Sequence, residues 1–181
     1  MSKYYAGIGS RTTPPEFKKI FSDIASKLED KGYVLRSGGA SGADSFFEAG
    51  VKEEKNKEIY LPWKNFNGNN SKLFTPSKEA IQLASTLHPA WHNLNQGGQK
   101  LMARNCYQVM GLDLNTPVDF VLCWTPSITS GGTSQAIRLA FENKILVYNF
   151  AAQVWDIDYI LERTGKFNKI KEYFKEESQV N

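Results

Sequence analysis

Three times along this chain a strand-length apolar segment is followed by a glycine-rich turn and then by a helix-length segment. The turns are Gly7-Ile8-Gly9-Ser10-Arg11, Ser37-Gly38-Gly39-Ala40-Ser41-Gly42-Ala43-Asp44 and Ser130-Gly131-Gly132-Thr133-Ser134. Regular alternation of strands and helices demands right-handed crossovers and a parallel sheet covered on both faces. The expected fold is therefore α/β, a Rossmann-like three-layer sandwich with a mostly parallel sheet of about five strands. In such a sheet all strand C-termini share one rim, and open α/β sheets bind their ligands there.

The individual elements follow from periodicity. Tyr4–Gly9 reads as a short buried strand. Pro14-Pro15-Glu16 opens a helix whose stripe of Phe17, Ile20, Phe21, Ile24, Ala25 and Leu28 repeats every 3.6 residues, and Lys31-Gly32 ends it. Tyr33–Arg36 is a second strand, a helix is expected over 42–54, and Glu58–Leu61 is a third strand stopped by Pro62. Residues 63–75 are rich in Asn, Gly, Ser and Lys and read as a loop of the length that binding loops have. Helices are expected over 77–87 and 96–110, a strand over 117–124, a helix over 130–143 and a strand over 144–149. A closing helix over 154–163 and a C-terminal helix over 167–177 complete the pattern.

Length and composition bound the rest. At 181 residues, 41% hydrophobic and 23% charged, the chain suits one globular domain covering 1–181. Apolar runs such as Phe120–Trp124 are too short to span a membrane, so no membrane association is expected. Met1-Ser2-Lys3-Tyr4-Tyr5 leads straight into a strand without the apolar region of a signal peptide, which points to a cytoplasmic location. Cys106 and Cys123 lack a nearby partner and read as buried thiols. A net charge of +3 fits an anionic ligand and allows weak nucleic-acid binding at most.

The turns suit phosphate. Glycine lets the backbone approach an oxygen closely, the amides of a first helical turn point outward, and the helix dipole adds partial positive charge. The first turn has Thr12 where a dinucleotide fingerprint would place its third glycine, and no Gly-Lys-Ser/Thr follows any turn. Phosphoryl transfer of the ATPase kind and conventional dinucleotide dehydrogenation are thereby disfavoured. No cofactor is expected.

These segments resemble the SLOG superfamily, which unites the Rossmann domain of DNA-processing protein A (Smf) with the lonely-guy phosphoribohydrolases. The resemblance covers roughly residues 4–149, and its most specific part is Ser37-Gly38-Gly39-Ala40-Ser41-Gly42-Ala43-Asp44. It implies a Rossmann-like fold, a homo-oligomer, and binding of nucleotides or nucleic-acid phosphates. The hydrolase branch carries an Arg on a middle helix, for which Arg104 in Met102-Ala103-Arg104-Asn105 is the match. Its Gly-Thr-x-x-Glu turn aligns with Gly132-Thr133, which puts the glutamate position on Ala136 beside Gln135.

The candidate ligand-binding residues are Gly7, Gly9, Ser10, Arg11, Ser37, Gly38, Gly39, Ala40, Ser41, Gly42, Asp44, Arg104, Asn105, Gly131, Gly132 and Thr133. Arg11 suits a bidentate grip on phosphate. Asp44 either caps amides or holds a ribose hydroxyl or a metal ion. Glu48 and Arg104 are the catalytic candidates. Arg36 either reaches the second turn or pairs with an acid, and Trp63 either stacks on a base or simply packs. No metal site is expected, because Pro89 breaks the helix that His88 and His92 would need to share. The leading expectation is a protein that senses, sequesters or carries a nucleotide or nucleotide-derived small molecule. The alternatives are a nucleotide N-glycoside hydrolase, with Arg104 stabilising charge and Glu48 or Asp44 as the acid, and a single-stranded DNA-binding accessory factor of recombination.

Overall fold

The computed structural model describes residues 3–151, 154 and 155. Seven strands form one sheet: β1 (Lys3–Gly9), β2 (Tyr33–Ser37), β3 (Lys57–Leu61), β4 (Leu73–Phe74), β5 (Phe120–Trp124), β6 (Leu146–Asn149) and β7 (Val154–Trp155). Their order is β4-β3-β2-β1-β5-β6-β7, with the first six parallel and β7 antiparallel to β6. The Rossmann-like sandwich read from the sequence is the fold observed.

Side chains point to alternate faces along each strand, and burial runs on without alternating, as in β1 from Tyr5 to Ile8 and in β5 from Phe120 to Cys123, because the sheet is covered on both faces. On one face Tyr5, Leu35, Phe120, Leu122 and Leu146 pack with α1 (Phe17–Asp30) and α2 (Ala43–Glu48). On the other, Ala6, Ile8, Val121, Cys123 and Val147 pack with α3 (Lys78–Leu87), α4 (Gln96–Met110) and α5 (Gly132–Glu142). Phe21 of α1 and Phe47 of α2 stack at 4.2 Å between centroids, which fastens the two helices together. The helix starts carry their signals: Ser77 accepts from Ala80 N–H ahead of α3, and Asn95 accepts from Gly98 N–H ahead of α4.

The structure differs from the sequence reading in a few places. Two strands beyond the expected five appear, β4 and β7, each only two residues long and therefore without an alternation to read. β4 lies inside the expected 63–75 loop and pairs with the end of β3, Tyr60 opposite Leu73. Residues 154–155, expected to begin a helix, pair with β6 instead; the rest of that helix and the 167–177 helix lie outside the described residues. The helix expected over 42–54 stops at Glu48. Gly50 is pressed against the Ser22 carbonyl of α1, so the chain turns there and sends Val51 into the core.

Candidate functional site

From β1 the chain winds outward through β2, β3 and β4, then returns to place β5 and β6 on the other side of β1. The turns after β1 and β5 therefore diverge, and a crevice opens at the strand C-termini. A cleft of about 600 Å³ occupies this position, within the range of about 300–1,000 Å³ common for small-molecule sites. Its walls come from the turn after β1, the start of α2, the segment after β3, one face of α4, and residues 125–133 ahead of and within α5.

The first turn is built around the Ser10 carbonyl. That oxygen accepts from Thr13 N–H at 3.2 Å, from the Thr13 hydroxyl at 2.5 Å and from Ala43 N–H at 3.4 Å. Ser10 N–H donates to the Trp124 carbonyl at 2.8 Å, tying the turn to β5. Gly9, Ser10 and Arg11 all line the cleft, and Arg11 is exposed at its rim. Gly7 faces the core: a Cβ there would lie 2.6 Å from the Phe47 ring.

The second turn forms the floor and directs most of its atoms inward. Ser37 is buried and its hydroxyl donates to the Gly7 carbonyl at 2.6 Å. The Gly38 carbonyl accepts from the Arg104 guanidinium. Gly39 has φ 68°, and a Cβ on it would lie 2.6 Å from Leu61 Cδ2. Gly42 has φ 83° and lies directly against the Ser10 carbonyl, where any side chain would overlap it; glycine alone satisfies both conditions. Ser41 is exposed, with its hydroxyl 3.5 Å from Asn67 Oδ1. Asp44 Oδ2 accepts from Ala40 N–H at 3.2 Å, and the carboxylate also accepts from Gly9 N–H. Of this turn's candidates, Ala40 and Asp44 line the cleft, whereas Ser37, Gly38, Gly39, Ser41 and Gly42 shape it from behind.

Arg104 of α4 is 5% exposed and Asp44 is 3% exposed. The Arg104 Nη1 donates to the Gly38 carbonyl and lies 3.5 Å from the Tyr60 carbonyl, while its buried Nε has no partner. Burial pulls the Arg104 pKa down, and the charge of Asp44 opposes that. Burial pushes Asp44 up to about 6 against the opposing pull of Arg104 and of the Ala40 and Gly9 amides. The Arg104 Nε–H is thus a buried donor without a protein partner, which costs free energy.

The third turn is the open one. Gly131 and Gly132 are exposed, and no side chain caps the first turn of α5. Asn105 donates from Nδ2 to the Gly132 carbonyl at 2.8 Å, and Ser134 Oγ donates to the Gly131 carbonyl at 2.6 Å, which fixes the turn without covering its amides. Arg104, Asn105, Gly131, Gly132 and Thr133 all line the cleft.

Other candidates lie elsewhere. The Glu48 carboxylate is not part of the cleft wall; it accepts from Asn69 Nδ2 at 2.9 Å and from Lys57 Nζ at 3.3 Å. Ala136 and Gln135 are fully buried, with Gln135 donating to the Ala84 carbonyl at 3.0 Å. Arg36 is buried on Tyr4, its ring 3.8 Å away, and is paired with Glu58 at 2.9 Å, so the acid-pairing alternative describes it. His88 lies at the end of α3, where Nδ1 accepts from Ala90 N–H. Sequence reasoning missed Phe66, Gln108, Thr125 and Ser127 as lining residues. Phe66 was the visible signal, an aromatic three residues after Trp63 in an otherwise polar stretch.

Comparison with protein-family models and with curated proteins returns no match for this chain. Among solved structures, it is similar to DNA processing protein A from Helicobacter pylori, a protein with a single-stranded DNA binding mode. The TM-score is 0.52 at 19% identity, and the match covers 81% of this chain. The chain spans 64% of the length of that protein, and the likeness is one of fold, the Rossmann-like architecture of DNA processing protein A.

Proposed function

We propose that this chain binds a nucleotide or nucleotide-derived small molecule in the cleft between β1 and β5, with its phosphate at the start of α5. The observation that carries this reading is the meeting of two accessible donors in one cleft, the uncapped first turn of α5 and the exposed Arg11, beside the buried Arg104 guanidinium. Amides at a helix start and guanidinium N–H groups are the usual protein partners of phosphate oxygens. The resemblance of the three turns to the SLOG superfamily supports the same ligand class. Binding without hydrolysis is the form proposed, because Ala136, in the family's glutamate position, is packed in the core. Asp44 is the single carboxylate in the cleft wall among the described residues, and it is engaged by two backbone amides.

The test is titration calorimetry with nucleoside mono-, di- and triphosphates and nucleotide sugars, followed by chromatography of overnight incubations. Binding of one class, abolished in Gly132→Asp and without release of free base, supports the reading. Affinity unchanged in a folded Gly132→Asp protein would remove it. A second reading, single-stranded DNA binding through the same cleft, rests on the fold shared with DNA processing protein A. Tight oligonucleotide affinity at physiological salt would favour it.

A further inference from the structure

Two asparagines fasten the segment after β3, one to the second turn at the floor of the cleft and one to the end of α2. Asn67 Nδ2 donates to the Gly39 carbonyl at 3.0 Å, and Asn69 Nδ2 donates to Glu48 Oε1 at 2.9 Å. Glu48 is itself held by Lys57 Nζ, which also meets Glu54 at 3.0 Å. Ser71 N–H donates to Asn69 Oδ1 at 3.0 Å and Ser71 Oγ donates to the Ile59 carbonyl at 2.6 Å. Asn65 and Asn67 take left-handed conformations, φ 59° and 53°, which asparagine tolerates better than other side chains do. Hydrogen bonds at both ends and two left-handed turns make this a shaped element of the protein.

What it shapes is a pair of aromatic rings. Trp63 and Phe66 meet edge to face, 5.2 Å between centroids at 88°, and both line the cleft. The Phe66 ring lies 5.5 Å from the Arg104 guanidinium, so the aromatic wall adjoins the cation. Trp63 remains 40% exposed. An exposed indole in a cleft wall is a surface for another flat ring.

We infer that Trp63 is the stacking face for the base of the ligand, and that Glu48 is a positioning residue that holds it there through Asn69. The ligand class is accordingly a flat aromatic base joined to phosphate, as opposed to a sugar phosphate alone. This rests on the phosphate reading of the same cleft.

The experiment is calorimetry on wild type, Trp63→Ala, Trp63→Phe and Asn69→Ala. The probes are the four ribonucleoside 5′-monophosphates and triphosphates and ribose 5-phosphate. Wild type is expected to bind at least one nucleotide roughly tenfold or more tightly than ribose 5-phosphate. Trp63→Ala erases that preference while leaving ribose 5-phosphate affinity unchanged, and Trp63→Phe keeps most of it. Asn69→Ala weakens the nucleotide and spares ribose 5-phosphate. Equal wild-type affinity for the two classes, or a Trp63→Ala protein with undiminished nucleotide affinity, overturns stacking and leaves the phosphate reading standing. Failure of every phosphate probe to bind wild type overturns the phosphate reading and the inference with it. If Asn69→Ala unfolds, the two variants of exposed Trp63 decide the matter alone.

Discussion

Arg104 and Asp44 are opposite charges buried in the floor of one cleft, each hydrogen-bonded to backbone and neither to the other. Arg104 holds carbonyls of the second turn and β3, Asp44 holds amides of the first and second turns, and the two interact through the field between them. Each therefore compensates a charge that would be costly alone. Arg104→Met is expected to destabilise the protein by about 3–5 kcal/mol, because it leaves the Asp44 carboxylate without its counter-charge. The double variant Arg104→Met with Asp44→Asn should lose less than the sum of the two single losses in urea denaturation. Strict additivity would show that the charges do not sense each other.

Stability should also respond to pH through Asp44. Its folded-state pKa of about 6 lies above the ordinary value of 3.8, so the folded protein holds this proton more tightly than the unfolded chain does. The stabilisation is complete below the unfolded pKa and is lost as pH rises through about 6, by about 3 kcal/mol in all. Glu29 and Asp113 act in the opposite direction, since hydrogen bonds hold their pKa values down. The difference between wild type and Asp44→Asn isolates the Asp44 contribution. Urea midpoints measured from about pH 4 to 7 should show that difference growing with pH, and a flat difference would contradict the assignment.

Two glycines of the turns should respond very differently to the same substitution. A Cβ on Gly132 would have Asn105 Nδ2 and Met102 Cε as its nearest neighbours, both at 3.7 Å, and its φ is ordinary. Gly132→Asp should stay folded and lose anion binding, because its carboxylate occupies the phosphate position. Gly39→Asp combines a left-handed φ with a contact of 2.6 Å to Leu61 and should cost about 2–4 kcal/mol. Thermal unfolding of both variants, with binding measured on the folded ones, checks the order; equal melting temperatures would contradict it.

Single-stranded DNA should bind weakly. With a net charge of +3, few phosphates can be neutralised and few counterions released. Fluorescence anisotropy with a labelled oligonucleotide should show affinity that is largely gone by about 150 mM salt, with a shallow salt slope. Nanomolar binding at that salt would shift the assignment to the DNA reading.

The long elements were legible because their signals are local. The α1 stripe repeats with the helical period, and the α3 and α4 starts carry side chains that cap them. The site was legible only in part, because its geometry depends on contacts between segments distant in sequence. Nothing in Ser37-Gly38-Gly39-Ala40-Ser41-Gly42-Ala43-Asp44 tells that Asp44 folds back onto the Ala40 amide, or that Arg104 takes the Gly38 carbonyl. The same turn that reads as a phosphate cradle is thus largely a floor, and the open amides belong to the less specific third turn. Glu48 reads as a free carboxylate on a helix, yet Asn69 and Lys57, both beyond the end of α2, engage it. The early end of α2 likewise comes from the approach of Ser22 to Gly50, a contact that no helix propensity encodes.

The Ser10 carbonyl gathers Thr13 and Ala43 donors while Gly42 presses against it, so the turns after β1 and β2 share a single acceptor. Neither turn can breathe without breaking the other's hydrogen bonds, and the amide protons of Thr13 and Ala43 should exchange with solvent through one common opening. The floor is consequently a poor place for the protein to adapt. Any adjustment to ligands of different size falls to the walls, where the Trp63 segment is attached to the floor and to the end of α2 by asparagine side chains whose bonds can break one at a time.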